Sequence, residues 1–91
     1  MTWTVQYTRT FLKEMAHLPG SVRQQVEVVA FGEEIQADPF LAGKVQKLKG
    51  YQEYYRLRVG DYRVGLRIDS NQRVIEFCRV LHRKEVYRKF P

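Results

Sequence analysis

The residues best placed to do chemistry are arginines spaced two apart around a glycine turn. In the run from Tyr54 to Arg67, Arg56, Arg58, Arg63 and Arg67 alternate with Tyr55, Leu57, Val59, Tyr62, Val64 and Leu66. Each arm therefore reads as a strand with an arginine face and an apolar face. Gly60-Asp61, a two-residue connection with glycine first, suits a type II′ turn. That turn pairs Val59 with Tyr62, sets Arg58 opposite Arg63 and sets Arg56 opposite Gly65. Like charges directly across an antiparallel pair cost roughly 0.2–1 kcal/mol, so such a face opposes folding until something negative comes to rest on it. The planar fork of guanidinium donors matches phosphate oxygens, which makes phosphate the expected ligand. Gly65, opposite Arg56, is expected to leave an open floor for close approach of a backbone or base.

A second basic group, Arg79, His82, Arg83, Lys84, Arg88 and Lys89, lies in the last strand and tail, with Tyr87 among them. Unstacked bases are held by aromatic rings set among cations. Tyr87, Tyr54 and Tyr51 are candidates for that work, although Tyr87 fits equally well as a packing residue over the sheet edge. His82 is the one histidine of the basic region, and its side-chain class titrates near neutrality; an acid–base role and a structural role both suit it. Other schemes fall away. No carboxylate pair recurs on the basic strand face, no serine sits in a nucleophile elbow, and Gly60 with Gly65 makes no phosphate loop. Cys78 lies in an apolar run and reads as an inert core thiol. His17 reads as a surface or satisfied core residue. No cysteine or histidine pair has metal-ligand spacing, and neither a metal nor an organic cofactor is expected.

The elements that must position these residues follow from periodicity. Trp3, Val5 and Tyr7 alternate with Thr4 and Gln6 as a half-buried strand. Thr8 can cap a helix whose stripe is Phe11, Leu12, Met15 and Leu18, ended by Pro19-Gly20. Ser21 with Gln24 fits a capping box for a second helix through Val22, Val26, Val29 and Ala30, which should run to Asp38-Pro39. After Gly43 the period drops to two, with strands at Glu53–Val59, Tyr62–Ile68 and Arg73–Leu81. The expected fold is α+β. It comprises an N-terminal strand, an antiparallel helical hairpin, an antiparallel three-stranded meander completing a four-stranded twisted sheet, and a short, loosely helical C-terminal tail. Residues 1–91 are read as a single domain.

Charge is divided unevenly. Residues 1–42 hold three basic and five acidic side chains, net −2, whereas 43–91 hold thirteen basic and five acidic, net +8. That asymmetry suits a polyanionic partner better than general solvation does. One cysteine, no apolar leader and no long apolar run point to a reducing cytoplasmic setting without membrane association.

The run KLKGYQEYYRLRVGDYRV, followed by VLHRKEVYRKF, resembles the RelE/ParE toxin superfamily, and within it the RelE-like branch of ribosome-dependent mRNA endonucleases. The likeness is most specific at Leu48–Gly50, Asp61-Tyr62-Arg63 and His82–Tyr87. It implies the toxin of a type II toxin–antitoxin pair that cuts ribosome-bound mRNA without a metal, by attack of a ribose 2′-hydroxyl on the adjacent phosphate. By position, Arg63 and Arg83 would stabilise the phosphate, Tyr87 would stack on or polarise the attacked nucleotide, and His82 or Tyr87 would move protons. Arg56, Arg58, Lys49 and Lys84 would hold RNA phosphates. Arginine at Arg56 and Arg58, where the branch often has lysine, removes a possible general base. A cognate antitoxin is the implied protein partner, and no small-molecule substrate is implied. A ParE-like gyrase inhibitor of the same fold is the alternative, and an inactive RNA-binding module a third.

Overall fold

The computed structural model describes residues 2–91. Strand β1 (Thr4–Tyr7) leads into Thr8, whose extended backbone and hydroxyl cap helix α1 (Arg9–Ala16) by accepting the Phe11 amide at 3.0 Å. The same hydroxyl donates to the Cys78 carbonyl at 2.7 Å, tying the cap to the sheet. Phe11 and Met15 are buried, but Leu12, expected in the apolar stripe, is exposed.

Helix α2 (Gly20–Phe31) departs from expectation at both ends. It starts behind Pro19, which supplies φ −53° and no side-chain acceptor, so Ser21 lies inside the first turn and the capping box does not form. It stops at Phe31 rather than Asp38, because Gly32 takes an extended backbone. A Cβ on Gly32 would collide with the Val28 carbonyl. A single-turn helix α3 (Glu34–Ala37) follows and buries Ile35. Asp38 then organises a 3-10 turn at Leu41–Gly43, its carboxylate accepting the Phe40 and Ala42 amides at 3.1 and 2.7 Å.

The remaining strands are β2 (Val45–Lys47), β3 (Tyr54–Val59), β4 (Tyr62–Asp69) and β5 (Val74–His82), in the sheet order β1-β5-β4-β3-β2. The α+β architecture and the β3–β4–β5 meander match expectation, and β1 adds to β5 in parallel. The expected four-stranded sheet is corrected to five strands. Three residues of β2 are too short to show alternation, and their pairing with β3 defines them. The C-terminal segment forms helix α4 (Arg83–Lys89), a definite element where a loose tail was expected. Glu85 in its first turn, Arg88 and Lys89 in its last, and an exposed Lys89–Glu85 pair at 3.1 Å all complement the helix dipole.

Gly60 at φ +57° makes the predicted turn, and the register is as predicted: Val59 with Tyr62, Arg58 with Arg63, Arg56 with Gly65. Between β4 and β5 the pairing steps from Gly65–Arg79 to Leu66–Phe77 and skips Cys78, a bulge. As a result Phe77 and Val80 both enter the main core with Phe11, Val26, Ile35 and Leu66, while Arg79 and Leu81 turn to the opposite face. There Leu81 packs with Val86 and Phe90 of the C-terminal segment, a smaller second core. The sheet is thus covered by α1 and α2 on one side and partly by α4 on the other. No helix of the described residues is long and apolar enough to cross a membrane.

Candidate functional site

The face of β3 and β4 turned away from α1 and α2 carries Arg56, Arg58 and Arg63, and the hairpin register places them there. Arg63 is held by its own turn, its guanidinium donating to the Gly60 and Tyr62 carbonyls, both at 2.8 Å. Burial, followed by the charges of Arg58 and Arg56, lowers the Arg63 pKa below the ordinary arginine value, and Arg83 adds to the effect. The cations are therefore close enough to disfavour one another's charge. Arg56 lies over the Tyr87 ring at 5.4 Å from its centroid, and that ring is 77% exposed. Lys44, Gln46, Arg56, Leu57, Arg58, Arg63 and Tyr87 enclose a hollow of about 480 Å³ whose lining includes no acidic residue.

Arg83 opens α4, and its amide bonds the Asp61 carbonyl at 2.8 Å, docking the helix start on the β3–β4 turn. Its guanidinium faces the Asp61 carboxylate at 3.8 Å, with both side chains more than half exposed. A pair so long and so wet neutralises little charge. Lys84 and Lys49 are exposed, and Lys49 sits in the β2–β3 loop beside Arg56 and Tyr87.

Three expected features do not contribute to this site. Arg67 shares the face but is surrounded by Glu53 and Glu76, each at 3.3 Å, and by Asp69 at 4.0 Å. Burial alone would lower its pKa, but hydrogen bonds to Glu76 and Glu53 raise it instead, so Arg67 is a structural ion-pair centre. His82 points to the other side of the sheet. Its Nδ1 accepts the Lys84 amide at 3.2 Å as the α4 cap, its ring meets Tyr62 edge to face at 5.3 Å, and it lines a hollow with His17 and Glu14. The structure therefore does not bring it to the arginines. The open floor expected at Gly65 is filled by the Phe90 ring, which a Cβ would meet at 2.7 Å.

Arg79, expected in the second basic group, is likewise withdrawn. It makes a two-pronged pair with Glu14, at 3.0 Å from Nε and 2.7 Å from Nη2, and donates to the Lys89 carbonyl at 3.2 Å. Hydrogen bonding to Glu14 raises its pKa. Glu14 also accepts the Val80 amide at 3.1 Å, where β1 no longer covers β5. Arg79 therefore links α1, the β5 edge and the end of α4. The Cys78 thiol is pushed up to about 12, first by burial and then by Glu76, in keeping with an inert thiol. Lys44 and Gln46 were missed in the sequence. Gln46 joins the hollow because it pairs with Arg56, a contact the short β2 does not advertise.

A family described as the ParE toxin of type II toxin–antitoxin systems, parDE, matches residues 5–87. Toxin RelE3 of Methanocaldococcus jannaschii is 40% identical over 96% of this chain and 98% of its own length. Toxin RelG of Mycobacterium tuberculosis is 32% identical over 98% of this chain and its full length. In the crystal structure of the RelB–RelE antitoxin–toxin complex from Methanococcus jannaschii, one chain superposes with a TM-score of 0.74 and 39% identity, over 94% of this chain and 99% of that one.

Proposed function

The chain belongs to the RelE/ParE family of toxins of type II toxin–antitoxin systems, and from that membership we propose that it is a ribosome-dependent, metal-independent mRNA endoribonuclease. The observation that carries the proposal is the acid-free hollow built by Arg56, Arg58, Arg63 and Tyr87. Its cations repel one another until a phosphate lies among them.

In this reading an RNA phosphodiester sits between Arg63 and Arg83. The 2′-oxygen of the preceding ribose attacks phosphorus and the bond to the 5′-oxygen breaks, leaving a 2′,3′-cyclic phosphate and a 5′-hydroxyl. The 2′-hydroxyl proton leaves in the attack, and the departing 5′-oxygen gains one. Arg63 and Arg83 stabilise the negative charge that builds on the non-bridging phosphoryl oxygens, while Arg56, Arg58, Lys49 and Lys84 hold flanking phosphates. Tyr87, exposed beside Arg56, stacks on the attacked nucleotide and offers its phenol for proton transfer. With His82 on the other face, the chain presents no imidazole to the phosphate. Electrostatic stabilisation and positioning of the mRNA by the ribosome then supply most of the rate.

The RelE toxin of Methanococcus jannaschii is solved in complex with a RelB antitoxin, and a cognate antitoxin is the proposed protein partner here, covering the basic face with an acidic or amphipathic segment.

The test is purified chain added to translating ribosomes, with the ends of any mRNA fragments mapped. Fragments ending in a 2′,3′-cyclic phosphate are expected. Intact mRNA together with loss of gyrase supercoiling activity would replace this reading with that of a gyrase inhibitor.

A further inference from the structure

Next to the phosphate hollow lies a second one of about 310 Å³, lined by Leu48, Lys49, Tyr51, Val86, Phe90 and Pro91 and sharing Arg56 and Tyr87 with the first. Its size falls at the lower end of the range for small-ligand sites, ~300–1000 Å³. The two hollows differ in character: the first is walled by arginines, the second mainly by apolar and aromatic side chains, with Lys49 and Arg56 as its charged side chains.

We propose that this second hollow is a nucleobase subsite, in which the base next to the cut RNA phosphate stacks on Tyr51. The inference rests on the RNA-binding part of the reading above.

Three observations support it. Tyr51 is 47% exposed, so ring surface is left for a partner although its other neighbours are fixed. It meets Tyr54 edge to face at 5.8 Å, and Tyr54 meets Phe90 in the same way at 5.6 Å. Phe90 is in turn wedged on Gly65, so the stacking surface is braced against the sheet. The loop that presents Tyr51 is also ordered. The Leu48 amide bonds the Tyr54 carbonyl at 2.8 Å, the Tyr51 amide bonds the Leu48 carbonyl at 3.3 Å, and Gly50 makes the turn at φ +86°. A platform set in advance loses little entropy on binding. Finally, a strand whose phosphate lies among Arg56, Arg58 and Arg63 passes Arg56 and Tyr87 to reach the second hollow. A base leaving the stack finds an aromatic wall there, with Lys49 for the next phosphate and no Asp or Glu side chain in the lining.

The probes are short RNAs with a 2′-deoxy, uncleavable linkage and 2-aminopurine on one side of it or the other. Binding to the wild-type chain should quench the fluorophore on one side only. Tyr51→Ala should abolish that quenching and weaken binding about 5- to 140-fold, the factor that about 1–3 kcal/mol of base–aromatic stacking makes in a dissociation constant. Tyr51→Phe should retain both. Removing the base at that position should weaken the wild type by the same factor and leave Tyr51→Ala unchanged, since base and ring are lost as one contact. Equal quenching in wild type and Tyr51→Ala, or an abasic penalty equal in the two, overturns the subsite. Tyr51 resonances that move with phenylalaninamide and not with 2-aminopurine riboside would assign the hollow to a protein side chain, with the same consequence. Because the linkage cannot be cut, the result is separate from catalysis. Tyr51-dependent binding with intact mRNA on ribosomes keeps the subsite and refutes the nuclease; mRNA cleavage indifferent to Tyr51 does the reverse. Failure of wild type to bind RNA refutes the subsite outright.

Discussion

Replacing Arg58 by glutamine should stabilise the fold while removing function, an opposition that distinguishes a ligand-binding cluster from solvated surface charge. Arg58 faces Arg63 directly across β3 and β4, and its charge is among the causes that lower the Arg63 pKa. Cross-strand like-charge pairs span roughly 0.2–1 kcal/mol. Arg58 is exposed, so the lower part of that range applies, about 0.2–0.7 kcal/mol. In a domain of this size each kcal/mol moves the melting temperature by about 4–8 °C, so Arg58→Gln should melt about 1–6 °C higher at low ionic strength. The difference should shrink in 1 M salt, where the Debye length is ~3 Å. Cleavage of ribosome-bound mRNA should fall by about 10- to 140-fold, the factor that one hydrogen bond to a charged group, roughly 1.5–3 kcal/mol, makes in holding a flanking phosphate. Thermal melts at two salt concentrations and a fragment assay suffice. A variant that melts at or below the wild-type temperature in low salt, or a difference insensitive to salt, would refute the idea that this face is held under electrostatic strain.

Arg63→Ala and Arg83→Ala should each abolish growth arrest on expression, with circular dichroism unchanged; arrest that persists in both would remove the phosphate role. Gly65→Ala should force the Phe90 ring off its seat, because the new Cβ would lie 2.7 Å from it. A loss of about 1–3 kcal/mol in urea unfolding is expected, along with lower activity as α4 and Tyr87 shift, and a midpoint equal to wild type would show that α4 is not braced there. Cys78 should resist iodoacetamide at pH 8 until the chain is unfolded, and labelling at the same rate in folded and denatured protein would contradict the burial. Its folded pKa of about 12 lies above the unfolded thiol value of ~8.5. The stability it contributes is therefore complete below the unfolded value and lost as pH rises toward the folded one. A Cys78→Ala variant should show a shallower alkaline fall.

The chemistry of the hairpin was legible in the sequence because it is local. Gly60-Asp61 sets the turn, the turn sets the register, and a strand's period of two then assigns each arginine to a face with no further information. The helix start at Thr8, the antiparallel meander and the basic second half were readable for the same reason, since each depends on neighbours a few residues apart. Which arginines stay available is a different matter, because a guanidinium and the carboxylate that neutralises it can be far apart in sequence. Glu14 reaches Arg79 across 65 residues, and Arg67 gathers Glu53, Asp69 and Glu76 from three separate segments. His82 turned away because the register that pairs it with Tyr62 places its ring on the side of the sheet that α1 and α2 cover. The skipped Cys78 similarly reverses the alternation along β5, and the three residues of β2 are a strand only through their pairing with β3. Short-range backbone geometry is enough to specify the arginine hairpin and its register from the order of residues. That Arg56, Arg58 and Arg63 keep no carboxylate partner among the described residues, beside Tyr87, follows from long-range packing, because charge pairing and side-chain direction depend on what that packing brings alongside.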